Sequence, residues 1–329
     1  MRTIDWAGDH VVAVDQTLLP GEVRMLRLCD VDAVIDAIRR LAVRGAPAIG
    51  VAGGLGVALA ARTGRDAGWV RAEAARLRAA RPTAVNLAWA VDKVLCHLDE
   101  GTDAVVDAAV ALLEADVAAN RALAARGADL VRSLVPGPTA VLTHCNAGGL
   151  ACVEWGTALG VVRALHEDGL VRVVFADETR PLLQGARLTA FELGEMGIPY
   201  RLVVDGAGPS VIARGLVDVV IVGADRVVAN GDVANKIGTY PLALAAARAG
   251  IPFIVAAPES TLDAATPDGA HITIEERDED EVLSWAGRRT APDGAAAYNP
   301  AFDVTPADLV TAVVTDERVI RPARGERVT

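Results

Sequence analysis

The spacing of apolar residues along the chain changes once, near Val135-Pro136-Gly137-Pro138. Before that point, apolar runs at Ile4, Val11–Val14 and Val23–Leu28, parted by Gly8-Asp9 and Pro20-Gly21, predict three short strands. A helical period then takes over. Asp30 is placed to cap a helix whose apolar positions are Val31, Val34, Ile35, Ile38 and Leu41. Arg44-Gly45-Ala46-Pro47 breaks the chain, with Pro47 suited to the first turn of the next helix, which runs to about Ala61 and is small on every side. Further helices are expected over Trp69–Ala80 and Ala84–Leu98, parted by Arg81-Pro82-Thr83. A long one is expected over Asp103–Arg126, with Val106, Val110, Leu113 and Val117 on one face and Gly127 as its stop.

Beyond the change, short apolar runs alternate with helical stretches. Strands are predicted at Ala140–Thr143, Val171–Phe175, Tyr200–Val204, Val217–Val222 and Pro252–Ala256. Helices are predicted over Gly149–His166, Leu182–Met196, a short Ser210–Arg214 and Ile237–Ala249. Alternating strands and helices imply a parallel, doubly wound sheet. The fold class is therefore α/β, a small β plus helical N-terminal domain (1–127) followed by a Rossmann-like parallel-sheet domain (128–329). Residues 263–297 read as polar loop, and the acidic run Glu275–Glu281 as a solvated face.

Composition narrows the function classes. Hydrophobic residues make up 52% of the 329 positions and charged residues 23%, enough to bury a core. The net charge of −11 argues against a nucleic-acid partner, which needs a basic footprint. The start of the chain has no apolar leader, and the apolar run Ala46–Ala61 is shorter than the roughly 18 residues of a membrane span. Four cysteines (Cys29, Cys96, Cys145, Cys152) form no C-x-x-C pair, which points to a reducing, cytoplasmic setting and away from zinc. No G-x-G-x-x-G string follows a strand and no Walker string occurs, so a dinucleotide cofactor is not expected.

Ligands of parallel sheets bind beyond the carboxyl ends of the strands, so the residues there carry the chemistry. The first parallel strand ends in Thr143-His144-Cys145-Asn146, where a thiol at a helix start would have a lowered pKa and could move a proton or attack. Neighbours in extended chain point to opposite sides, so His144 is not expected to pair with Cys145, and Cys152 reads as packing. The next strand ends in Asp177-Glu178-Thr179-Arg180, with Gln184 just beyond; Glu178 and Arg180 either reach the crevice or brace the loop as an ion pair. Val217–Val222 ends at Gly223 and presents Asp225, either a proton-transfer group of raised pKa or a partner for Arg226. A loop through Asn230-Gly231-Asp232 then leads to Asn235-Lys236 at the start of a helix with free N–H groups. Arg44-Gly45-Ala46, Arg81 and Lys236 are candidate phosphate ligands, each at an expected helix start.

Several strings together resemble one family: RGAPAIG (44–50), RPTAVNLAWAV (81–91), THCNAGGLA (143–151), DETRPLLQGARLTAFEL (177–193), GADRVVANGDVANKIGTY (223–240), APESTLD (257–263), IEER (274–277) and NPAFDVTPADL (299–309). They are similar, in order and over nearly the whole chain, to the signatures of methylthioribose-1-phosphate isomerase, whose superfamily includes the regulatory subunits of initiation factor 2B. The resemblance implies an aldose–ketose isomerisation in methionine salvage, S-methyl-5-thio-α-D-ribose 1-phosphate to S-methyl-5-thio-D-ribulose 1-phosphate, without cofactor or metal and in a homodimer. Matched position by position, Cys145 and Asp225 fall on the catalytic pair, and Arg44, Gly45, Ala46, Arg81, Gln184, Asn235 and Lys236 on substrate-binding positions. Val153-Glu154-Trp155, Asp205-Gly206-Ala207-Gly208 and Glu259 depart from the family's usual residues, which bears on the pocket for the 5-substituent. Isomerisation of 5-deoxyribose 1-phosphate or ribose 1,5-bisphosphate, and a non-catalytic regulatory subunit, are the competing readings.

Overall fold

The computed structural model describes residues 2–81 and 85–328. Pro82, Thr83 and Ala84, assigned above to a break and a helix start, lie outside the described residues. The chain opens with an antiparallel sheet of β1 (Ile4–Trp6), β2 (Val11–Val14) and β3 (Met25–Leu28). Five helices follow: α1 (Val31–Arg39), α2 (Ala46–Arg62), α3 (Ala67–Arg78), α4 (Val85–Leu95) and α5 (Thr102–Leu134). Asp30 does cap α1, its carboxylate accepting the Ala33 N–H at 2.8 Å. Helix α2 is buried from Ala48 to Ala61 and packs against α1, α3, α4 and α5, which explains why its sequence is small all round.

Gly127 does not stop α5. The helix runs on to Leu134, and a Cβ at Gly127 would come within 2.4 Å of Val161 Cγ2. The glycine is there for close packing. The first half of α5 buries Val105, Ala109, Leu112, Leu113 and Val117 in one core with α1–α4. Its second half buries Leu123, Ala128, Leu130 and Val131 in another, under the main sheet.

That sheet is built from β4 (Thr139–Thr143), β5 (Val171–Asp177), β6 (Tyr200–Val203), β7 (Val219–Val222) and β10 (Phe253–Ala256), with a hairpin, β8 (Arg226–Val228) and β9 (Val233–Lys236), between the last two. The helices between strands are α6 (Ala158–Glu167), α7 (Ala190–Glu195), α8 (Gly208–Ala213) and α9 (Thr239–Ala249). Later come β11 (Leu262–Asp263), α10 (Asp280–Leu283), the ribbon β12 (Ser284–Trp285) and β13 (Arg288–Arg289), then β14 (Phe302–Thr305), β15 (Ala312–Val314) and β16 (Val319–Ile320). The main sheet has the order β16-β15-β10-β7-β4-β5-β6, parallel except for β16. β4 and β7 are wholly buried, as strands covered on both faces must be. Each buried valine in them contributes about 1.5–3 kcal/mol relative to exposure. The chain winds outward from β4 through β5 to β6, then returns to the other side of β4 as β7. The order therefore reverses between β4 and β7, and a crevice opens beyond their carboxyl ends.

Four local expectations are corrected. Helix α6 begins at Ala158; residues 149–157 are a single 3₁₀ turn, Gly149–Ala151, followed by loop. The helix expected over 182–196 is present from 184 to 195, but it opens after a turn and its first part is a π-helix (Gly185–Thr189) that runs directly into α7. Asn230-Gly231 is the turn of the β8–β9 hairpin, so Asn235 and Lys236 end a strand instead of opening a helix. Residues 302–320 supply three strands that the apolar pattern did not announce.

Candidate active site

Cys145 stands just beyond β4 and Asp225 just beyond β7, the two strands between which the order reverses. A cleft lies there, lined from both halves of the chain, in the place where ligands of parallel sheets bind. Arg44, Gly45, Ala46 and Arg81 line it from the helical half. Cys145, Gln184, Asp225, Asn235 and Lys236 line it from the sheet half. All nine residues singled out in the sequence thus meet in one cavity. Glu178 and Arg180 do not line it, nor do they pair with each other among the described residues; the Arg180 guanidinium lies 5.0 Å from the Trp285 ring centre instead.

The Cys145 backbone sits at φ +62°, a left-handed conformation that a residue with a Cβ adopts only when its surroundings impose it. Its N–H donates to Thr179 Oγ1 at 2.9 Å, and its C=O accepts from Thr189 Oγ1 at 2.6 Å. Asn146 Nδ2 donates to Glu192 Oε1 at 2.8 Å, and the other Glu192 oxygen accepts the Gly149 N–H at 2.7 Å. A Cβ on Gly148 would meet that carboxylate at 2.2 Å, so only glycine lets the loop approach it. The far end of the loop is tied by the Val153 N–H, which donates to Asp116 Oδ2 at 2.9 Å. Asn146, Thr179, Thr189 and Glu192 escaped sequence reasoning. Their partners lie tens of residues away, and the nearest signal was the DETRPLLQGARLTAFEL string that contains three of them.

The expected helix-start thiol of lowered pKa is not found. No helix follows Cys145 directly, and burial pushes its pKa up, against the pull of Arg44 and Lys236. A neutral thiol results. Burial likewise holds the Asp225 carboxyl above the ordinary carboxylate range, against Lys236, Arg81 and Arg44, with Glu275 adding to the rise. Asp225 is not spent on Arg226, which pairs with Asp263 at 3.3 Å. Its own backbone N–H joins the hairpin ladder through Ala234 O at 2.9 Å.

Lys236 lies opposite Phe302 on the neighbouring strand, its ammonium 4.6 Å from that ring's centre and donating to Ala301 O at 2.9 Å. Burial lowers its pKa, opposed by Cys145 and Asp225. The helix N–H groups expected beside it are not free, because Asp303 accepts from Gly238 N at 2.8 Å and Tyr240 N at 3.1 Å. The N-terminus of α2 is different. Gly45, at φ +91° and with no room for a Cβ against Ala151, caps it without a side-chain bond, and Gly45, Ala46 and Pro47 face the cleft. Arg44 is held beside it by Gln16 Oε1 at 3.1 Å and by the Asn146 backbone oxygen at 3.1 Å, with Asn146 Oδ1 closer still.

The acidic run is solvated only in part: Glu276, Asp278, Glu279 and Asp280 are exposed, whereas Glu275 and Glu281 are half-buried. Glu275 pairs with Arg81 at 3.6 Å and with Arg277 at 3.1 Å, and Arg277 lines the cleft. Arg277 was visible in the IEER string but was read as part of the acidic run. Among the described residues one cluster has metal-ligand chemistry: His144, Asp177 and Asp205, their donor atoms within 4.8 Å of one another. Apart from Asp177 Oδ1, which is buried without a partner, those donors are committed internally. His144 Nε2 donates to Ile237 O at 2.8 Å while Nδ1 meets Asp177 Oδ2 at 2.9 Å, and Asp205 accepts the Thr179 and Arg180 N–H groups at 2.7 and 2.6 Å. The cluster is an internal brace, with His144 turned away from any pairing with Cys145.

Comparison with known proteins adds independent findings. The initiation factor 2 subunit family model matches residues 42–322. A probable bifunctional methylthioribose-1-phosphate isomerase/methylthioribulose-1-phosphate dehydratase of Nocardia farcinica (strain IFM 10152) is 58% identical over 97% of this chain, which spans only 60% of that longer protein. A methylthioribose-1-phosphate isomerase of Anaeromyxobacter sp. (strain K) is 56% identical, covering 96% of this chain and 92% of the relative. The crystal structure of 5-methylthioribose 1-phosphate isomerase from Pyrococcus horikoshii OT3 superposes with a TM-score of 0.89 at 43% identity, covering 98% of this chain and 92% of that one. The structure described as translation initiation factor eIF-2B, subunit delta, from A. fulgidus gives 0.86 at 43% identity, over 98% and 96%.

Proposed function

The chain belongs to the initiation factor 2 subunit family, alongside its methylthioribose-1-phosphate isomerases, and on that premise we propose that it converts S-methyl-5-thio-α-D-ribose 1-phosphate to S-methyl-5-thio-D-ribulose 1-phosphate in methionine salvage. It is an aldose–ketose isomerase. The observation that carries the reading is the meeting of a neutral thiol, a carboxyl of raised pKa and several cations in one cleft at the sheet's reversal point.

In the reaction the ring C1–O bond opens, the C2 hydroxyl becomes a carbonyl, and C1 gains a hydrogen. That hydrogen arrives either as a proton, after C2 has given one up, or as a hydride shifted from C2. Either route needs a proton donor and acceptor shielded from water. Asp225 exchanges the proton at the ring, and Cys145 relays a proton or stabilises the transition state. Arg44, Gly45, Ala46, Arg81 and Lys236 hold the phosphate, through guanidinium, ammonium and the open N-terminus of α2. Gln184 and Asn235 meet the sugar. An acid–base pair of this kind favours the enzyme over a regulatory subunit. The exposed apolar side chains Tyr200, Leu202 and Val204, on and beside the edge strand β6, support a homodimer. None of the described helices is long and apolar enough to cross a membrane, and the free cysteines suit a cytoplasmic setting.

The test is turnover of the methylthio sugar phosphate by purified protein in deuterium oxide. Product formation is expected, with deuterium at C1 if a proton is transferred and none if a hydride shifts. No turnover of this substrate, nor of 5-deoxyribose 1-phosphate or ribose 1,5-bisphosphate, would overturn the enzyme reading.

A further inference from the structure

Among the described residues, five buried side-chain polar atoms have no hydrogen-bond partner, and two of them belong to residues lining the cleft: Gln184 Oε1 and Thr261 Oγ1. Thr261 lies in the 3₁₀ turn Glu259–Thr261, just after β10 at the carboxyl edge of the sheet. It is only 4% exposed. The turn is fixed on several sides. The Thr261 N–H donates to Pro258 O at 2.8 Å, and Ser260 Oγ accepts from Asn86 Nδ2 at 3.3 Å. Glu259 accepts from Thr315 Oγ1 at 2.6 Å and Arg318 Nε at 3.1 Å. The backbone therefore cannot carry the hydroxyl out to water, whereas rotation about χ1 sweeps it around a fixed Cβ.

A buried hydroxyl left unpaired destabilises the fold, and a valine would fill nearly the same space without that penalty. The chemistry of the two unpaired atoms limits what could satisfy them. Gln184 Oε1 only accepts, so it calls for a donor, which a phosphate dianion does not offer. The phosphate already has Arg44, Lys236 and the α2 N-terminus. A sugar hydroxyl both donates and accepts, and so suits an amide oxygen and a threonine hydroxyl alike.

We propose that Thr261 is a specificity-determining residue whose hydroxyl hydrogen-bonds a hydroxyl group of the sugar phosphate. The proposal rests on the isomerase reading above. Its test is steady-state kinetics of Thr261→Val and Thr261→Ser with S-methyl-5-thio-α-D-ribose 1-phosphate, alongside thermal melts without substrate. The valine variant is expected to raise KM about 10-fold, the worth of one hydrogen bond, with kcat within about threefold. Its Tm is expected to equal or exceed the wild-type value, and the serine variant to restore KM. A valine variant with wild-type KM overturns the assignment while leaving the isomerase reading intact. So does one whose Tm falls and whose defect serine does not repair, because that is a packing role. Absence of turnover by the wild-type protein overturns both.

Discussion

Two loops at the same sheet edge bring a thiol and a carboxyl to one cleft, and they are held by different means. The Cys145 loop departs from regular structure at once. It takes a left-handed backbone, and its N–H, its C=O and the neighbouring Asn146 and Gly149 are each held by a side chain from a distant segment. The Asp225 loop is barely a loop. β7 hands over to the β8–β9 hairpin within a few residues, and Asp225 is placed by a ladder bond to Ala234. The difference teaches that one cleft can combine a position set by side chains with a position set by the sheet itself. The first depends on many residues, the second on few.

The largest test of this pairing removes the two proposed catalytic groups themselves. Cys145→Ser and Asp225→Asn are each expected to lower kcat by about 10²–10⁴-fold, the span of acid–base catalysis, with the fold intact by circular dichroism. If either retains kcat within about threefold, that residue is no part of the acid–base machinery. Next comes a contrast between the two supports. Glu192→Ala leaves the Gly149 N–H without its acceptor and the Asn146 amide with Thr189 Oγ1 alone; it should destabilise the protein by about 2–4 kcal/mol in urea and lower kcat as well. Asp232→Ala cuts bonds to Gly269 N and Ala307 N at the hairpin turn but spares the Asp225–Ala234 bond. It should cost about 1–2 kcal/mol and leave kcat nearly unchanged. Equal losses of kcat in both variants would break the comparison.

The last test concerns the far anchor of the Cys145 loop and touches stability alone. Burial raises the Asp116 carboxyl to about 6, against the Val153 N–H, which lowers it. A carboxyl that holds its proton more tightly when folded stabilises the fold where it is protonated. That advantage is complete below the ordinary 3.8 and is gone above about 6. Wild-type stability should therefore fall, relative to Asp116→Asn, as pH rises through that window, by on the order of 1–3 kcal/mol. Melts at about pH 3.5 should coincide, and at about pH 7.5 the variant should melt higher. The same Tm difference at both would show that the anchor does not titrate.

Much of this architecture is legible in the chain. β4, β5, β7 and β10 announce themselves as short apolar runs because both faces are covered, and strand ends then point to Cys145 and Asp225. Asn230-Gly231 is a hairpin signal that was passed over as a loop, because the Ala-rich helix after it drew Asn235-Lys236 into its own pattern. Residues 149–157 looked helical because Gly149 to Val153 are all apolar and buried, with no period to contradict a helix. The supports of Cys145 were illegible for a further reason. Which hydroxyl or carboxylate meets a given backbone group is decided by how α7 approaches β4, and no local pattern records that.

Helix α5 has a mechanical consequence. Its 33 residues form a rod about 50 Å long. One end is embedded in the core of the helical half and the other in the core beneath the main sheet. The two walls of the cleft are thereby mounted on a common beam. A jaw-like swing of one half against the other would have to bend that beam or tear one end from its socket. Entry of a substrate and exit of a product are then expected to depend on the cleft's own loops, with the helical wall that carries Arg44 and the sheet wall that carries Lys236 tied to one helix outside the cleft.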